Sequence, residues 1–155
     1  MQKILFVCLG NICRSPVAEG IMLHLIDKHK LHQKIQVDSA GTAGYHIGEA
    51  PDHRTQQNAK KNGVDLSKLR ARKFESKDFD SFDKIFVMDE SNFVNVTRMT
   101  KDKSHHGKID YLLNISHAGQ NLPVPDPYYG GEQGFEEVFQ LVYKACEKLI
   151  APHIK

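Results

Sequence analysis

The sequence predicts an α/β fold: a single-domain, three-layer sandwich in which a four-stranded, mostly parallel sheet has helices on both faces. Short continuous apolar runs, typical of strands buried on both faces of a parallel sheet, alternate with stretches that carry apolar residues at helical spacing. The 155 residues suffice for one sizeable hydrophobic core, and they contain no repeat and no Gly/Ser-rich or Pro-rich linker. We therefore expect one domain that spans residues 1–155.

The predicted elements follow the chain in alternation. The first strand covers residues 3–8, and the first helix begins at Ser15 and Pro16, where a capping hydroxyl precedes a proline. The later elements are a strand at 34–38, a polar helix from 51 to about 62, a strand at 84–88, a helix that starts near 89, a weaker strand at 108–112, and a helix from about 132 to 149. Ligands of such sheets bind beyond the carboxyl ends of the strands, so the segment after Val7 is the first place to look for a site.

Composition and charge exclude several classes of protein. The chain is 40% hydrophobic and 26% charged, as in globular domains, and its net charge of +2 is too small to argue for nucleic acid or an anionic membrane. No apolar run is long enough to cross a bilayer or to form a signal peptide. The nine histidines lack the spacing of metal ligands, and we expect His105 and His106 in a solvated loop. We expect a cytoplasmic protein without nucleic-acid, membrane or metal partners.

The segment between the first strand and the first helix, residues 8–15, carries the strongest functional signal. It reads Cys-Leu-Gly-Asn-Ile-Cys-Arg-Ser. A loop at this place turns backbone N–H groups inward as an anion nest, to which the helix dipole adds roughly half a positive charge. Gly10 and Asn11 tolerate the left-handed backbone that such a loop needs, and Arg14 can bind two oxygens of a tetrahedral oxyanion. The sequence therefore predicts a phosphate-binding loop.

Cys8 lies at the floor of this loop and is the predicted nucleophile. Converging N–H donors, a helix N-terminus and Arg14 all favour a thiolate over a thiol, and a thiolate can attack phosphorus. Ser15 is placed to donate its hydroxyl to the sulfur, first as thiolate and later as leaving group. The alternative is that Cys8 is a buried residue at the end of a strand, followed by an ordinary turn.

Phosphoryl transfer also needs an acid that protonates the leaving oxygen, and Asp126 is the candidate. Prolines flank it within residues 123–130, which excludes a helix or an interior strand and stiffens an exposed loop. Near Cys8, this carboxyl group would protonate the leaving group and then activate the water that hydrolyses a phosphocysteine. The alternative for Asp126 alone is a residue that caps a turn.

Together these segments resemble the low-molecular-weight protein tyrosine phosphatases. The resemblance covers essentially the whole chain and rests on residues 7–16, 38–41, 51–52, 54, 88–92 and 126–129. It implies Cys8 as nucleophile, Arg14 as phosphate ligand and Asp126 as general acid, and it implies no metal or organic cofactor. Tyr45, where many eukaryotic members have tryptophan, is typical of a bacterial member.

The resemblance also implies roles for neighbouring residues. The phosphate-binding loop and its supports are Leu9, Gly10, Asn11, Ile12, Cys13, Ser15 and Ser39. Asn11 is expected to bond to Ser39. Cys13 is expected to form a reversible disulfide with Cys8 under oxidant, the alternative being a small buried side chain. The pocket walls and rim are Leu9, Tyr45, Tyr128 and Tyr129, where aromatic rings can stack on a substrate ring.

The expected activity is hydrolysis of protein phosphotyrosine and small aryl phosphates. A deep, narrow pocket would admit a phosphorylated phenol, whereas the shorter phosphoserine would not reach Cys8. The expected partners are tyrosine-phosphorylated proteins, with an autophosphorylating bacterial tyrosine kinase as one candidate, and inorganic phosphate or other oxyanions as inhibitors. The basic stretch at 68–73 is expected to be a solvated face or to meet acidic flanks of a phosphopeptide. We expect a monomer by default, with weak self-association as the alternative.

Two other functions compete with this hypothesis. Thiol-dependent arsenate reduction uses a related loop but passes a disulfide to further cysteines, and the only cysteine after Cys13 is Cys146, which lies in the last predicted helix and is expected in the core. A phosphoanion-binding module without activity would need neither a nucleophile nor Asp126. Both alternatives therefore explain fewer of the residues than phosphatase activity does.

Overall fold

A four-stranded parallel sheet forms the centre of the protein and confirms the predicted fold class. The computed structural model describes residues 1–128 and 131–154. The strands are β1 (Gln2–Cys8), β2 (Ile35–Gly41), β3 (Lys84–Val87) and β4 (Ile109–Tyr111). They lie side by side in the order β2-β1-β3-β4, so that β1 has a parallel neighbour on each side.

The helices cover both faces of this sheet. They are α1 (Arg14–Lys28), α2 (His53–Lys61), α3 (Asp78–Ser81), α4 (Glu90–Thr97), α5 (Lys103–His106) and α6 (Glu132–Ile150), with single 3₁₀ turns at Leu112–Asn114 and Ala151–His153. Within the described residues, no helix is both long and apolar enough to cross a membrane.

Strand β1 contributes to a hydrophobic core on each side of the sheet. Ile4 and Phe6 pack with the buried residues of α1 and α6. Leu5 and Val7 point to the other face and pack with residues of α3 and α4. All four side chains are fully buried, as the continuous apolar run predicts for a central parallel strand.

Three local predictions are wrong. Helix α1 begins at Arg14, and no side chain caps it, because the hydroxyl of Ser15 bonds to Cys8 instead. His105 belongs to a short helix and stacks on Phe79 with ring centroids 4.9 Å apart, so it does not lie in a solvated loop. Arg72, in the stretch expected to be a solvated face, is half-buried and ion-paired.

Strand β2 runs to Gly41, three residues beyond the predicted end at 38, because its last residues pair with the end of β1. This extension supports the loop that follows Cys8, since Thr42 N donates to Cys8 O and Ala43 N donates to Leu9 O, both at 2.9 Å. A Cβ atom on Gly41 would lie 2.7 Å from Leu9 O. The carboxyl end of β2 therefore packs directly against the backbone of the loop.

Replacement of Gly41 by alanine is expected to destabilise the protein. The added methyl group must push away a backbone oxygen, and overpacking of this kind costs about 1–3 kcal/mol of unfolding free energy. Urea denaturation measures the change. Gly107→Ala is the matched control, because its Cβ would meet nothing closer than 3.7 Å. Equal stability of the two variants would contradict the prediction.

Candidate active site

The loop from Cys8 to Cys13 joins β1 to α1 and owes its shape to Asn11. Asn11 has a φ of 59°, the left-handed conformation that asparagine tolerates better than most residues. Gly10, expected to share this conformation, does not have it. Its lack of a side chain serves close packing instead, because a Cβ there would lie 3.1 Å from His46 Cδ2.

A chain of buried hydrogen bonds supports the loop from beneath. Cys8 Sγ lies 2.9 Å from Ser15 Oγ. The side-chain amide of Asn11 donates to Ser15 Oγ at 2.8 Å and to Ser39 Oγ at 2.9 Å. Because Ser15 Oγ already accepts from Asn11, its own proton is free to be donated to the Cys8 sulfur. The structure therefore contains both contacts that the sequence analysis expected, Ser15 with Cys8 and Asn11 with Ser39.

The guanidinium of Arg14 is buried next to Cys8 and held by two other segments. Its Nη1 donates to Asp89 Oδ2 at 2.7 Å and to the carbonyl oxygen of Val124 at 3.1 Å. Burial alone would lower the pKa of Arg14, but the negative charge of Cys8 and those of Asp89 and Asp126 raise it above its usual value. Arg14 is therefore a permanent cation in a fixed orientation.

Asp89 is a functional residue that sequence reasoning missed. The sequence indicates a helix cap, and Asp89 Oδ1 does accept from Asn92 N at 2.8 Å at the start of α4. Its other oxygen binds Arg14. The available signal was the position of Asp89, two residues after the end of β3, since β3 pairs with β1 and parallel strands end at the same edge of a sheet.

Asp126 lies at the mouth of the same site. Its side chain is 43% exposed, and its Oδ2 lies 3.8 Å from Arg14 Nη2. Its Oδ1 accepts from Tyr128 N at 3.0 Å, so Asp126 also caps a turn, as the alternative interpretation expected. The segment is fixed at its start by a bond from Val124 N to Met88 O at 2.7 Å.

Arg54 on α2 holds the other end of the Asp126 segment. It donates to the carbonyl oxygen of Tyr128 at 2.8 Å. Its guanidinium also lies over the rings of Tyr128 and Phe135, 5.4 and 4.8 Å from their centroids. Cation–π contacts of this kind stabilise the pairing, so the exposed Asp126 loop is attached to two parts of the fold.

These elements enclose a pocket of about 250 Å³. It is lined by Cys8, Leu9, Gly10, Ile12, Cys13, Arg14, Tyr45, His46, Asp126 and Tyr128. The pocket thus brings together the three proposed catalytic residues and three of the four proposed rim residues. Tyr129 lies outside the described residues. Asn11, Ser15 and Ser39 do not line the pocket but lie behind the loop.

His46 is a second lining residue that the sequence analysis missed. Its Nδ1 lies 2.8 Å from Glu49 Oε2, and its opposite edge, Cδ2 and Nε2, faces Gly10. The carboxylate therefore fixes the ring with Nε2 toward the phosphate-binding loop. His46 and Glu49 are three residues apart, and this spacing is too common in sequences to indicate a contact between them.

All three cysteines are buried, and none of them forms a disulfide bond. Burial, together with the negative charges of Asp52 and Cys8, raises the pKa of Cys13 to about 12. Cys146 lies in the core of α6, and burial raises its pKa too. Cys13 and Cys146 are therefore protonated at neutral pH. Among the residues that the structure describes, no group of three or more histidine, cysteine or carboxylate side chains could hold a metal ion.

Comparisons with known proteins agree on one family. The family model described as low molecular weight phosphotyrosine protein phosphatase matches residues 3–155. A low molecular weight protein-tyrosine-phosphatase of Bacillus subtilis, YfkJ, is 44% identical over 153 residues, covering 97% of this chain and 95% of the relative. The human low molecular weight phosphotyrosine protein phosphatase is 40% identical over 150 residues, covering 96% and 94%.

Solved structures extend the similarity to the fold. A protein tyrosine phosphatase from Entamoeba histolytica superimposes with a TM-score of 0.90 at 40% identity, covering 99% of this chain and 97% of that one. The YfkJ structure superimposes with a TM-score of 0.87 at 43% identity, covering 98% and 94%. The chain therefore belongs to the low molecular weight phosphotyrosine protein phosphatase family and is a hydrolase of phosphotyrosine in proteins.

Proposed function

We propose that this protein hydrolyses phosphotyrosine through a phosphocysteine intermediate on Cys8, with Arg14 binding the phosphoryl oxygens and Asp126 serving as general acid and then general base. The observation that carries the proposal is that these three side chains line one pocket, to which the loop of residues 8–15 contributes much of the wall. Leu9, Ile12, Tyr45 and Tyr128 add apolar and aromatic surface to the pocket wall, which suits an aryl phosphate.

In the first step, the loop N–H groups and Arg14 bind the phosphoryl oxygens, and the Cys8 thiolate attacks phosphorus. An S–P bond forms while the bond from phosphorus to the tyrosine oxygen breaks. Asp126 gives its proton to that oxygen, so that neutral tyrosine leaves. Arg14 neutralises charge on the equatorial oxygens in an orientation already fixed by Asp89, and this fixed orientation favours the transition state.

In the second step, water attacks the phosphocysteine. Asp126, now a carboxylate, takes a proton from the water as an O–P bond forms and the S–P bond breaks. The sulfur leaves with the electron pair as a thiolate. The hydroxyl of Ser15, 2.9 Å from the sulfur, stabilises this leaving group, and inorganic phosphate is released.

Substrate choice follows from the depth of the pocket. Cys8 is buried, whereas Tyr45 and Tyr128 at the rim are 75% and 40% exposed. A phosphorylated phenol spans this distance with its ring between aromatic side chains, while phosphoserine is shorter. Tyrosine-phosphorylated proteins are the substrates, and an autophosphorylating bacterial tyrosine kinase is a candidate among them.

We expect a cytoplasmic protein that acts as a single-domain monomer. Three free, buried thiols suit a reducing compartment, which supports a cytoplasmic location. The match of the family model to residues 3–155 supports one domain for the whole chain. We take the protein to act as a monomer, because one chain supplies every residue of the proposed reaction.

Cys8→Ser is expected to lower kcat for p-nitrophenyl phosphate by about 10⁴-fold or more, because a serine hydroxyl in this position is not ionised. The variant should still bind phosphate or vanadate, which isothermal titration calorimetry measures. Cys146→Ala, a buried cysteine outside the pocket, is the control and should keep its activity. Turnover that survives in Cys8→Ser would contradict the proposed nucleophile.

Asp126→Ala is expected to lower kcat most for substrates with poor leaving groups. Loss of a general acid typically costs about 10²–10⁴-fold, and a leaving group that is stable as an anion needs the acid less. Steady-state kinetics with phenyl phosphate and p-nitrophenyl phosphate measure the difference. Asp27→Ala, an exposed carboxylate on α1, is the control. Equal losses on both substrates would show that Asp126 is not the acid.

We propose in addition that Cys13 protects Cys8 from irreversible oxidation. Hydrogen peroxide converts the Cys8 thiolate to a sulfenic acid, and the Cys13 thiol then condenses with it, forming a disulfide and releasing water. Both residues line the pocket, which supports this pairing. Because the pKa of Cys13 is about 12, disulfide formation should become faster as the pH rises toward that value.

After treatment with peroxide, the wild-type enzyme should recover its activity in dithiothreitol, whereas Cys13→Ser should recover only a small fraction. The reason is that the sulfenic acid of the variant has no thiol partner and proceeds to the sulfinic acid. Activity assays before and after reduction measure the recovery. Full recovery of Cys13→Ser would rule out the protective disulfide.

A further inference from the structure

The hydrogen bonds beneath the phosphate-binding loop do not end at Ser39. Ser39 Oγ donates to Glu19 Oε1 on α1 at 2.6 Å. The bonds of Ser15 and Asn11 already described lead from Ser39 to Cys8 Sγ, each 2.8–2.9 Å long. A continuous path of short hydrogen bonds therefore connects a largely buried carboxyl group to the proposed nucleophile.

The protons along this path can be assigned one by one. Both amide hydrogens of Asn11 are donated, one to Ser15 and one to Ser39. The Asn11 amide oxygen accepts from Arg72 N at 3.0 Å, so the amide cannot turn over without losing this bond. Ser39 Oγ consequently accepts from Asn11 and donates its single proton to Glu19.

These donor and acceptor roles depend on whether the carboxyl group of Glu19 is protonated. An ionised carboxylate can only accept, and a hydrogen bond to a charged acceptor is roughly twice as strong as a neutral one. A protonated Glu19 accepts more weakly and can itself donate to Ser39. In that state the hydroxyl proton of Ser39 is no longer held by a charged acceptor, so Ser39 Oγ is less polarised and accepts from Asn11 more weakly.

We propose that Glu19 is a positioning residue of this reaction: the protonation of its carboxyl group sets the strength of the hydrogen bonds that reach the Cys8 sulfur. The inference rests on the proposed function of Cys8 and deepens it, since Glu19 acts only through Ser39, Asn11 and Ser15 and does not line the pocket.

The surroundings of Glu19 allow its charge to change near neutral pH. Burial, together with the charge of Asp38 on β2, raises the pKa of Glu19 to about 7 against the hydrogen bond from Ser39 and the charge of Arg72, which lower it. Arg72 compensates weakly, because its guanidinium is already bound to Asp38 and Asp78 at 3.0 Å each. These are the charged groups that act on Glu19 among the described residues.

Ionisation of Glu19 is expected to raise kcat. As the pH rises through about 7, Glu19 loses its proton, and Ser39 is then fixed as donor to Glu19 and acceptor from Asn11. Asn11 in turn holds Ser15, whose hydroxyl stabilises the sulfur when it leaves the phosphocysteine. Ionisation of Glu19 therefore favours breakdown of the intermediate and raises kcat where breakdown limits turnover, while kcat/KM, which reports only the steps up to release of the phenol, stays unchanged.

The test is the pH dependence of kcat for p-nitrophenyl phosphate in Glu19→Gln relative to the wild type. Glutamine cannot ionise, so the variant stays in the neutral state. The ratio of variant to wild-type kcat should be close to one below about pH 6 and fall to roughly one fifth above about pH 8, the effect expected for one weakened hydrogen bond. The ratio of variant to wild-type kcat/KM should stay constant across this pH range, because this quantity does not depend on breakdown of the intermediate. Glu136→Gln on α6, whose carboxylate binds Asn58 and Asn62, is the control and should give a flat kcat ratio.

Ser39→Ala provides a second variant, because it interrupts the path and leaves Glu19 in place. It should flatten the same pH dependence, and the double variant Glu19→Gln/Ser39→Ala should differ little from Ser39→Ala alone. Cys8→Ala separates the two proposals. If Cys8→Ala is inactive and the Glu19→Gln ratio is flat with pH, the role of Glu19 is wrong and the nucleophile stands, whereas an active Cys8→Ala overturns both.

Stability gives an independent measure of the ionisation of Glu19. The unfolded chain loses this proton near pH 4.3, while the folded protein keeps it up to about 7, so the contribution of Glu19 to stability must fall as the pH rises between these values. Urea midpoints of the wild type should therefore decrease relative to those of Glu19→Gln across this range. Parallel midpoints would show that Glu19 is already ionised and overturn the proposal.

Discussion

The structure depends on the burial of a permanent cation beside the proposed nucleophile. Arg14 is only 3% exposed, and an unpaired charge in such a place would cost several kcal/mol. Asp89, the Val124 carbonyl and the charge of Cys8 compensate it. Because these partners come from separate parts of the chain, the segments after β1 and β3 and the segment before Asp126 are assembled around one guanidinium. The cation is then already oriented when a phosphoryl group arrives, so that little reorganisation accompanies the reaction.

The second requirement is a rigid backbone around the sulfur. Asn11 satisfies it by combining a left-handed conformation with three side-chain hydrogen bonds, to Ser15, Ser39 and Arg72 N. Buried polar groups of this kind are stable only when each is satisfied, and a fully satisfied network holds one arrangement. In this protein the network ends at the carboxyl group of Glu19, whose pKa is raised to about 7. The proposed pH sensitivity of the loop therefore acts through the same hydrogen bonds that support it.

The sequence predicts the parts of the site that are local in the chain. The apolar run of β1, the octapeptide that includes its last residue and the prolines around Asp126 each carry their own signal, so Cys8, Arg14 and Asp126 could be predicted to meet, and they line one pocket. Apart from the bond of Asn11 to Ser39, which the family resemblance implies, contacts between distant segments were not predicted, because they depend on which strands are neighbours. The bond of Arg14 to Asp89 spans 75 residues, and the bond of Ser39 to Glu19 spans 20. The predicted helix cap at Ser15 failed for a related reason, since the hydroxyl that could cap α1 is taken by Cys8. The rim position of Tyr129 stays a prediction.

The central claim is that Cys8 carries the phosphoryl group during turnover. The most direct measurement is mass spectrometry of peptides from enzyme quenched in acid while it hydrolyses p-nitrophenyl phosphate. The account predicts a phosphoryl group on the sulfur of Cys8, present during turnover and absent once the substrate is exhausted. A phosphoryl group on another residue such as Ser15, or an unmodified chain during turnover under conditions in which breakdown of the intermediate limits the rate, would contradict it.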